Sequence, residues 1–466
     1  SGVAEKSLDA VVRRLAANAG RSLVVSGSAD PDVQVAVNAI NHLLGNYGTT
    51  LNLTQPSLQC QGNDEDLDAL IDAMADGQVG ALIVLGGNPA YAHPRAAEFR
   101  KGMERVALTV SLSGRLDETA RGARYVCPDH HALESWGDSH PHLGVYGVSQ
   151  PLLTPLYDTR AAVESLLAWS GTPATALDFM KKTWEEEVFP RQHTHAAFVD
   201  LWENAVRDGF FVLPDESRPA PVSVSLEALS AAISEPPASS AGSIELDLFE
   251  GTAIGDGEQA NNPWLQELPD PITKIAWGNC ASISPAEAKR LGVVEGRVLE
   301  LSAGGRTVRL PAHVQLGMPD GVLAAALGYG RPHAGRIAAN EPMRKMFPID
   351  HEEPGGADLY PFVGIGSTGV SATADLIALA KTQTYDHQTV PFTGQTRPLV
   401  LDITPAELAQ DRKAPEGKGH HEESLWPEQE YGDYKWGMAI DLNACTGCSA
   451  CVIGCQAENN VPVVGK

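Results

Sequence analysis

Four closely spaced cysteines near the carboxy terminus constrain this chain more than any other feature. They follow the spacing C-x2-C-x2-C-x3-C and are Cys445, Cys448, Cys451 and Cys455. Thiolates at this spacing are typical ligands of iron–sulfur clusters, where the first three cysteines bind one cluster and the fourth usually reaches a second. The alternatives are a zinc site or a disulfide pair, but zinc sites favour two separated pairs of ligands over one dense run. The spacing therefore predicts an iron–sulfur centre.

The other cysteines cannot complete these clusters in the usual way. Cys60, Cys127 and Cys280 are isolated and lie far upstream, and the sequence continues only eleven residues past Cys455. We therefore expect the chain to be a segment of a longer polypeptide, whose remainder supplies further cysteine ligands.

Charge and hydropathy exclude some classes of partner. The chain has 59 acidic and 34 basic residues among 466, a net charge of −25. This charge argues against binding to nucleic acid or to anionic lipid. No stretch has the ~18–20 apolar residues that span a bilayer. We therefore expect no direct membrane span, and any membrane association would come through partner subunits.

Residues 1–213 alternate amphipathic helical patterns with short apolar strands. The predicted helices cover 8–15, 33–44 and 67–74, and the predicted strands cover 23–25, 81–85, 106–111 and 124–127. Such alternation is typical of an α/β domain with a parallel sheet that is covered on both faces.

Two stretches of this part are weak candidates for binding. The turn Gly86-Gly87-Asn88-Pro89 leaves the carboxyl end of a predicted strand, where open α/β sheets bind ligands. Its glycines would permit close approach of a phosphate or nucleotide, although a plain strand-to-helix turn is an equal alternative. His130, His131 and Glu134 lie close together but lack a metalloprotease spacing, which favours an ordinary loop over a metal site.

The remaining chain changes character twice. Residues 214–242 are rich in Pro, Ser and Ala and predict a linker with one short helix. Residues 243–433 predict a β-barrel-like domain: a strand at 272–277, a capped helix from Ser284 to Gly292, a hairpin of 297–302 with 306–311, and an exposed linker at 411–433 with paired His420 and His421. Residues 434–466 predict a strand and then the cysteine loop, the start of a ferredoxin-like domain.

At this point the residues resemble known families. The stretch 436–460 resembles the four-cluster iron–sulfur subunits of molybdopterin oxidoreductases, and its Cys455-Gln456 junction, in place of the Cys-Pro of small ferredoxins, matches that group. Other stretches resemble the catalytic subunits of the same superfamily: 82–89, 116–120, 134–138, 262–268 and 284–294. The last two resemble its C-terminal dinucleotide-binding domain, a double-psi β-barrel.

Both kinds of domain in one polypeptide resemble the iron–sulfur subunits of alternative complex III, a bacterial quinol:electron-acceptor oxidoreductase. The resemblance implies three [4Fe–4S] clusters and one [3Fe–4S] cluster in the full subunit, and a molybdopterin-like part that has lost its cofactor. It also implies a place on the periplasmic face of the cytoplasmic membrane after twin-arginine export. The implied partners are a multihaem cytochrome c subunit, integral quinol-binding subunits and the rest of the same polypeptide.

Three functions follow from this resemblance. In the first, the chain relays electrons from quinol through its clusters towards cytochrome c or a high-potential iron–sulfur protein, and has no catalytic residues of its own. In the second, the chain is part of an active molybdopterin enzyme of the polysulfide, tetrathionate or arsenite type. In the third, which is compatible with the first, residues 1–433 serve only as a scaffold for the complex.

Overall fold

A computed structural model describes residues 5–28, 30–59, 61–213, 223–233, 243–338, 356–381, 388–389, 396–397, 404–406, 432 and 437–465. The chain divides into two compact units. The first contains Ser1–Asn88 and Ala97–Ser240, and the second contains Pro89–Ala96 and Ala241–Lys466.

The helices up to residue 240 have the following bounds: α1 Glu5–Ala17, α2 Pro31–Leu43, α3 Asp64–Ala75, α4 Ala96–Met103, α5 Glu118–Gly122, α6 Ala162–Trp169, α7 Ala176–Thr183, α8 Phe198–Asp208 and α9 Leu226–Ala232. A π-helix, Trp184–Val188, and a 3₁₀ turn, Phe189–Arg191, follow α7 directly. The strands are β1 Ala81–Val84, β2 Leu108–Ser111, β3 Tyr125–Val126, β4 Gly137–His142, β5 Val145–Ser149 and β6 Phe210–Val212.

The predicted parallel sheet is confirmed by β1, β2 and β3, which pair in that order. One face is buried through Leu82 and Thr109. The other face exposes apolar side chains, with Ile83 at 47%, Leu108 at 41% and Tyr125 at 51% exposure. On this same face Val110 of the central strand β2 is buried, so the predicted cover on both faces is present at Val110 and missing around Ile83, Leu108 and Tyr125.

The predicted strand at 23–25 is also wrong, although the backbone groups of Val24 are paired. The buried Asn41 on α2 donates from Nδ2 to the Val24 carbonyl oxygen (2.7 Å), and its Oδ1 accepts from the Val24 backbone N–H (3.0 Å). One side-chain amide thus satisfies the two groups that a neighbouring strand would have paired. The segment stays extended without joining the sheet.

Helix starts in this unit follow the sequence more closely. Asp30 precedes Pro31 at the first turn of α2, and its side chain accepts a hydrogen bond from the Asp32 backbone N–H, as the capping pattern predicts. The predicted first helix is confirmed as α1, but its apolar Val11 and Val12 are exposed.

A second sheet in this unit was not predicted. β4, β5 and β6 form an antiparallel sheet, against which α7, the π-helix and α8 pack an aromatic core. At its centre Trp184 is 1% exposed and meets the rings of Trp202 and Tyr146 edge to face. This aromatic core packs the helices α7 and α8 and the π-helix against the antiparallel sheet.

In the second unit the helices are α10 Pro263–Glu267, α11 Pro285–Leu291 and α12 Ala450–Glu458, with a 3₁₀ turn at Tyr360–Phe362. The strands are β7 Ile244–Phe249, β8 Ile275–Ala276, β9 Ala281–Ile283, β10 Arg297–Ala303, β11 Arg306–Val314, β12 Val322–Ala326, β13 Ser367–Leu376, β14 Ala380–Lys381, β15 Gln388–Thr389 and β16 Thr396–Arg397.

The predicted β-barrel is confirmed as a closed barrel of six strands in the order β10-β11-β9-β12-β7-β13. The pairs β11–β9 and β12–β7 are parallel and the other described pairs are antiparallel. Alternate strand residues such as Leu299, Leu301 and Ile283 fill the interior. The double-psi connection of these strands stays a prediction.

Local patterns in the barrel behave as the sequence predicts. Ser284 Oγ accepts from the Glu287 backbone N–H at 3.1 Å, and Gly292 ends α11 with φ of +66°. On the hairpin of β10 and β11, Arg309 donates to Glu300 Oε2 across the outer face. These alternations place the leucines of the hairpin inward.

Some elements predicted from the sequence are shorter than expected or absent among the described residues, and others lie outside those residues. The strand predicted at 272–277 covers only Ile275–Ala276, and residues 437–442 form no strand. The short helix predicted in the linker is confirmed as α9. The linker at 411–433, except Gly432, lies outside the described residues, as do His420 and His421. No helix among the described segments combines the length and apolarity needed to cross a bilayer.

Candidate iron–sulfur centre

The cysteine segment is a loop followed by one helix. Cys445 and Cys448 lie in the loop, while Cys451 and Cys455 lie on α12. Residues four apart on a helix project from the same side, so these two thiols are one turn apart. All four thiols are free and exposed.

Two turns shape the loop. Before it, the Asp441 carbonyl oxygen accepts from the Cys445 backbone N–H (2.9 Å), and the Asp441 side chain accepts from the Asn443 N–H. Within it, Gly447 and Ser449 both have left-handed backbone, with φ of +73° and +59°. A serine in that region is uncommon and costs energy, and the chain reverses there just before α12 begins.

Hydrogen bonds favour the metal-binding form of one thiol. The Ala450 backbone N–H, and after it the Thr446 side chain, lower the pKa of Cys448 below its ordinary value. Because metals bind the thiolate, a lowered pKa makes more of this ligand available near neutral pH. Just past the end of α12, Asn459 Nδ2 donates to the Cys455 carbonyl oxygen at 2.9 Å and lies 3.5 Å from Cys455 Sγ.

The donor set fits an iron–sulfur cluster. Four unpaired, exposed thiols with soft sulfur donors are the ligands that iron–sulfur clusters use. No three His, Cys, Asp or Glu side chains in the described part of the chain converge closely enough to hold one metal ion. In an iron–sulfur cluster each cysteine binds a different iron atom. The absence of three converging ligands therefore concerns sites for a single metal ion and not a cluster.

Hydrogen bonds to nearby residues hold the loop that contains the two histidines. His130 Nδ1 is 2.6 Å from Thr159 Oγ1. The Glu134 carboxylate accepts from the backbone N–H groups of Leu156 and His131, which in that order lower its pKa. These contacts close the loop.

The turn after β1 is also held from within. Asn88 Nδ2 donates to Glu118 Oε2 at 2.7 Å, and Asn88 Oδ1 accepts from the backbone N–H and the hydroxyl of Thr119. The side chain thus ties the end of β1 to the start of α5. This matches the interpretation of a strand-to-helix turn, and phosphate binding there stays a prediction.

Residues that support the thiols were not predicted from the sequence. Asn459 lies four residues after Cys455, a helical spacing that brings side chains into contact and was a usable signal. Thr446 and Asp441 offered no such signal, because their contacts depend on the path of the loop.

The comparisons with known proteins add sequence similarity in two regions. Over 222 residues, 43% of this chain, it is 29% identical to the menaquinone reductase molybdopterin-binding-like subunit of Nitratidesulfovibrio vulgaris, covering 32% of that protein. Over 27 residues, 6% of this chain, it is 70% identical to the menaquinone reductase iron–sulfur cluster-binding subunit of the same organism, covering 11% of that protein. No family model matches the chain.

Among solved structures the chain is similar to acetylene hydratase from Pelobacter acetylenicus, with 18% identity and a TM-score of 0.41, over 66% of this chain and 46% of that one. This similarity is too low to show a shared fold. The chain spans about a third of the first curated relative and about a tenth of the second. One chain thus has similarity to two separate subunits of a menaquinone reductase, a molybdopterin-binding-like one and an iron–sulfur one.

Proposed function

We propose that this chain is an electron-transfer subunit of a quinol:electron-acceptor oxidoreductase of the alternative complex III type. The observation that carries the proposal is the set of four free thiols at ferredoxin spacing, with 70% identity over 27 residues to a cluster-binding subunit. A bound iron–sulfur cluster accepts and releases single electrons. The chain needs no nucleophile or general base for that role.

The contribution of the protein is to hold clusters and set their potentials. Cys445, Cys448, Cys451 and Cys455 would be the iron ligands. Hydrogen bonds to cluster sulfurs and solvent exposure are the protein's means of tuning the potential. The Asn459 amide beside Cys455 Sγ is placed to donate such a bond. The full subunit would carry [4Fe–4S] clusters and one [3Fe–4S] cluster.

The proposed partners are integral quinol-binding subunits, a multihaem cytochrome c subunit and further segments of the same polypeptide. Quinol oxidation would take place in the integral subunits, and electrons would pass through the clusters towards cytochrome c or a high-potential iron–sulfur protein. The place of the chain would be peripheral, on the periplasmic face of the membrane. Similarity to subunits of a quinone-linked enzyme supports the quinol side of this proposal.

The α/β unit and the barrel would act as a frame that carries no pterin. The relative over this region is named molybdopterin-binding-like, and the Asn88 amide in the candidate turn is already bonded within its own unit. An active molybdopterin enzyme is the alternative that this part of the proposal excludes.

Metal analysis of the full-length protein separates the two hypotheses. We expect iron and acid-labile sulfide in stoichiometric amounts, with neither molybdenum nor tungsten, when the protein is purified anaerobically from its own host. The control is a characterised molybdopterin enzyme purified in the same way. Stoichiometric molybdenum or tungsten would contradict the frame, and absence of iron would contradict the relay.

A further inference from the structure

Within the second unit, the segment that follows α12 is bound by one carboxylate of α10. Glu267 Oε1 accepts hydrogen bonds from the backbone N–H groups of Val464 (2.8 Å) and Gly465 (2.7 Å). Glu267 is the last residue of α10, nearly 200 positions earlier in the chain. Two N–H groups that converge on one oxygen form a directional, charge-assisted contact.

α10, the helix that carries Glu267, is itself held in the second unit by hydrogen bonds. Asn262 caps α10 by accepting from the Trp264 backbone N–H, and Pro263 occupies its first turn. The neighbouring Gln266 is buried. Its side-chain Nε2 donates to the Ala260 carbonyl oxygen (2.8 Å), and its backbone carbonyl oxygen accepts from the Trp277 backbone N–H (3.0 Å). Adjacent residues of α10 thus have different tasks. Gln266 bonds inward to the unit, and Glu267 bonds to the cysteine segment.

The cysteine helix contacts the same element. α12 packs against α10, and the chain turns back after it through a hydrogen bond from the Val461 N–H to the Gln456 carbonyl oxygen. The side-chain amide oxygen of Gln456, next to Cys455, is buried and has no hydrogen-bond partner among the described residues. α12 is therefore partly covered on the side of Ile453 and Gln456, whereas its two thiols, Cys451 and Cys455, are exposed.

We propose that α10 is the docking element that sets the position of the cysteine segment within the second unit, with Glu267 as its positioning residue. The proposal gives stretch 262–268 a task other than cofactor binding: it orients α12, and with it Cys451 and Cys455. This rests on the proposed function in that the positioned group is an iron–sulfur centre. It implies that α10 sets the orientation of two of the four proposed iron ligands.

Substitutions at Glu267 test the proposal in the full-length protein. Both hydrogen bonds reach the same oxygen, so Glu267→Gln keeps an acceptor in place while Glu267→Ala removes it. We expect Glu267→Ala to speed amide hydrogen exchange at 459–465 about tenfold or more, because a hydrogen bond to a charged group is worth at least about a decade in the opening equilibrium. Glu267→Gln should restore part of the protection, because its neutral amide oxygen can still accept both bonds but binds them more weakly. Glu245→Ala, at an exposed position on β7, is the matched control and should change nothing.

A second measurement separates positioning from general stability. We expect Glu267→Ala to keep its iron content but to broaden or shift the EPR signal of the cluster, and Glu267→Gln to resemble the unchanged protein. Unaltered exchange at 459–465 in Glu267→Ala would overturn the proposal, as would equal acceleration over the whole barrel. If the unchanged protein contains no iron, the proposed function fails, while the exchange experiment still decides whether Glu267 holds the segment.

Discussion

Replacing Cys451 with serine is expected to remove the iron–sulfur signal that depends on this loop and to stop electron transfer from quinol. A serine hydroxyl stays protonated near neutral pH and is a hard oxygen donor, whereas the cluster requires a soft thiolate. Cys451 is one of the three ligands expected to share a cluster, so the loss should be close to complete. The measurements are iron per chain, the reduced-state EPR spectrum and quinol-dependent reduction of the acceptor by the intact complex.

Cys127→Ser is the matched control for this substitution. Cys127 is a free cysteine after β3 in the first unit, and its backbone N–H donates to the Ser111 carbonyl oxygen, a bond that serine keeps. We expect unchanged iron, EPR spectrum and electron transfer. Retention of full iron and signal by Cys451→Ser would show that this loop does not hold the cluster.

Trp184→Ala should destabilise the first unit more than any surface change. Its side chain is 1% exposed, meets Trp202 at 5.7 Å and Tyr146 at 6.0 Å between ring centroids, and donates from Nε1 to Asp138 Oδ2. Removing a buried aromatic ring costs about 3–5 kcal/mol through lost burial and the cavity left behind. Denaturant unfolding followed by near-UV circular dichroism measures the loss, and Trp184→Phe should lose less.

The control for this prediction is another tryptophan of the same unit. Trp169 lies at the end of α6 and is 49% exposed, so Trp169→Ala leaves no cavity and should cost about 1 kcal/mol or less. Equal losses from the two substitutions would contradict the central place of Trp184 in the aromatic core.

Local signals account for what could be predicted from the sequence. The start and end of α11 follow from Ser284 and Gly292, and the barrel hairpin follows from leucines that alternate with charged residues. These patterns lie within a few residues and set backbone conformation directly. The positions of the four thiols could be predicted for the same reason, because ligand spacing is a local property.

Contacts between distant residues account for what was missed. Nothing in the sequence near Val24 indicates that the Asn41 side chain takes the place of a strand partner. Likewise, β6 pairs with β5 although several helices separate the two strands in sequence. The same holds at the candidate site, where Glu267 meets Val464 only after α10 and α12 have packed. Such pairings depend on the tertiary arrangement, which overrides local propensity.

Rapid-freeze EPR of the intact complex after mixing with quinol tests the central claim most directly. We predict that quinol reduces a cluster held by the four cysteines within a turnover, that the acceptor reoxidises it, and that Cys451→Ser lacks this signal. The comparison is the reverse reaction, in which quinone oxidises the reduced cluster. If quinone oxidises the cluster but quinol never reduces it, the proposal that the complex oxidises quinol is contradicted. If neither quinol nor quinone changes the EPR signal, the proposed electron relay is contradicted.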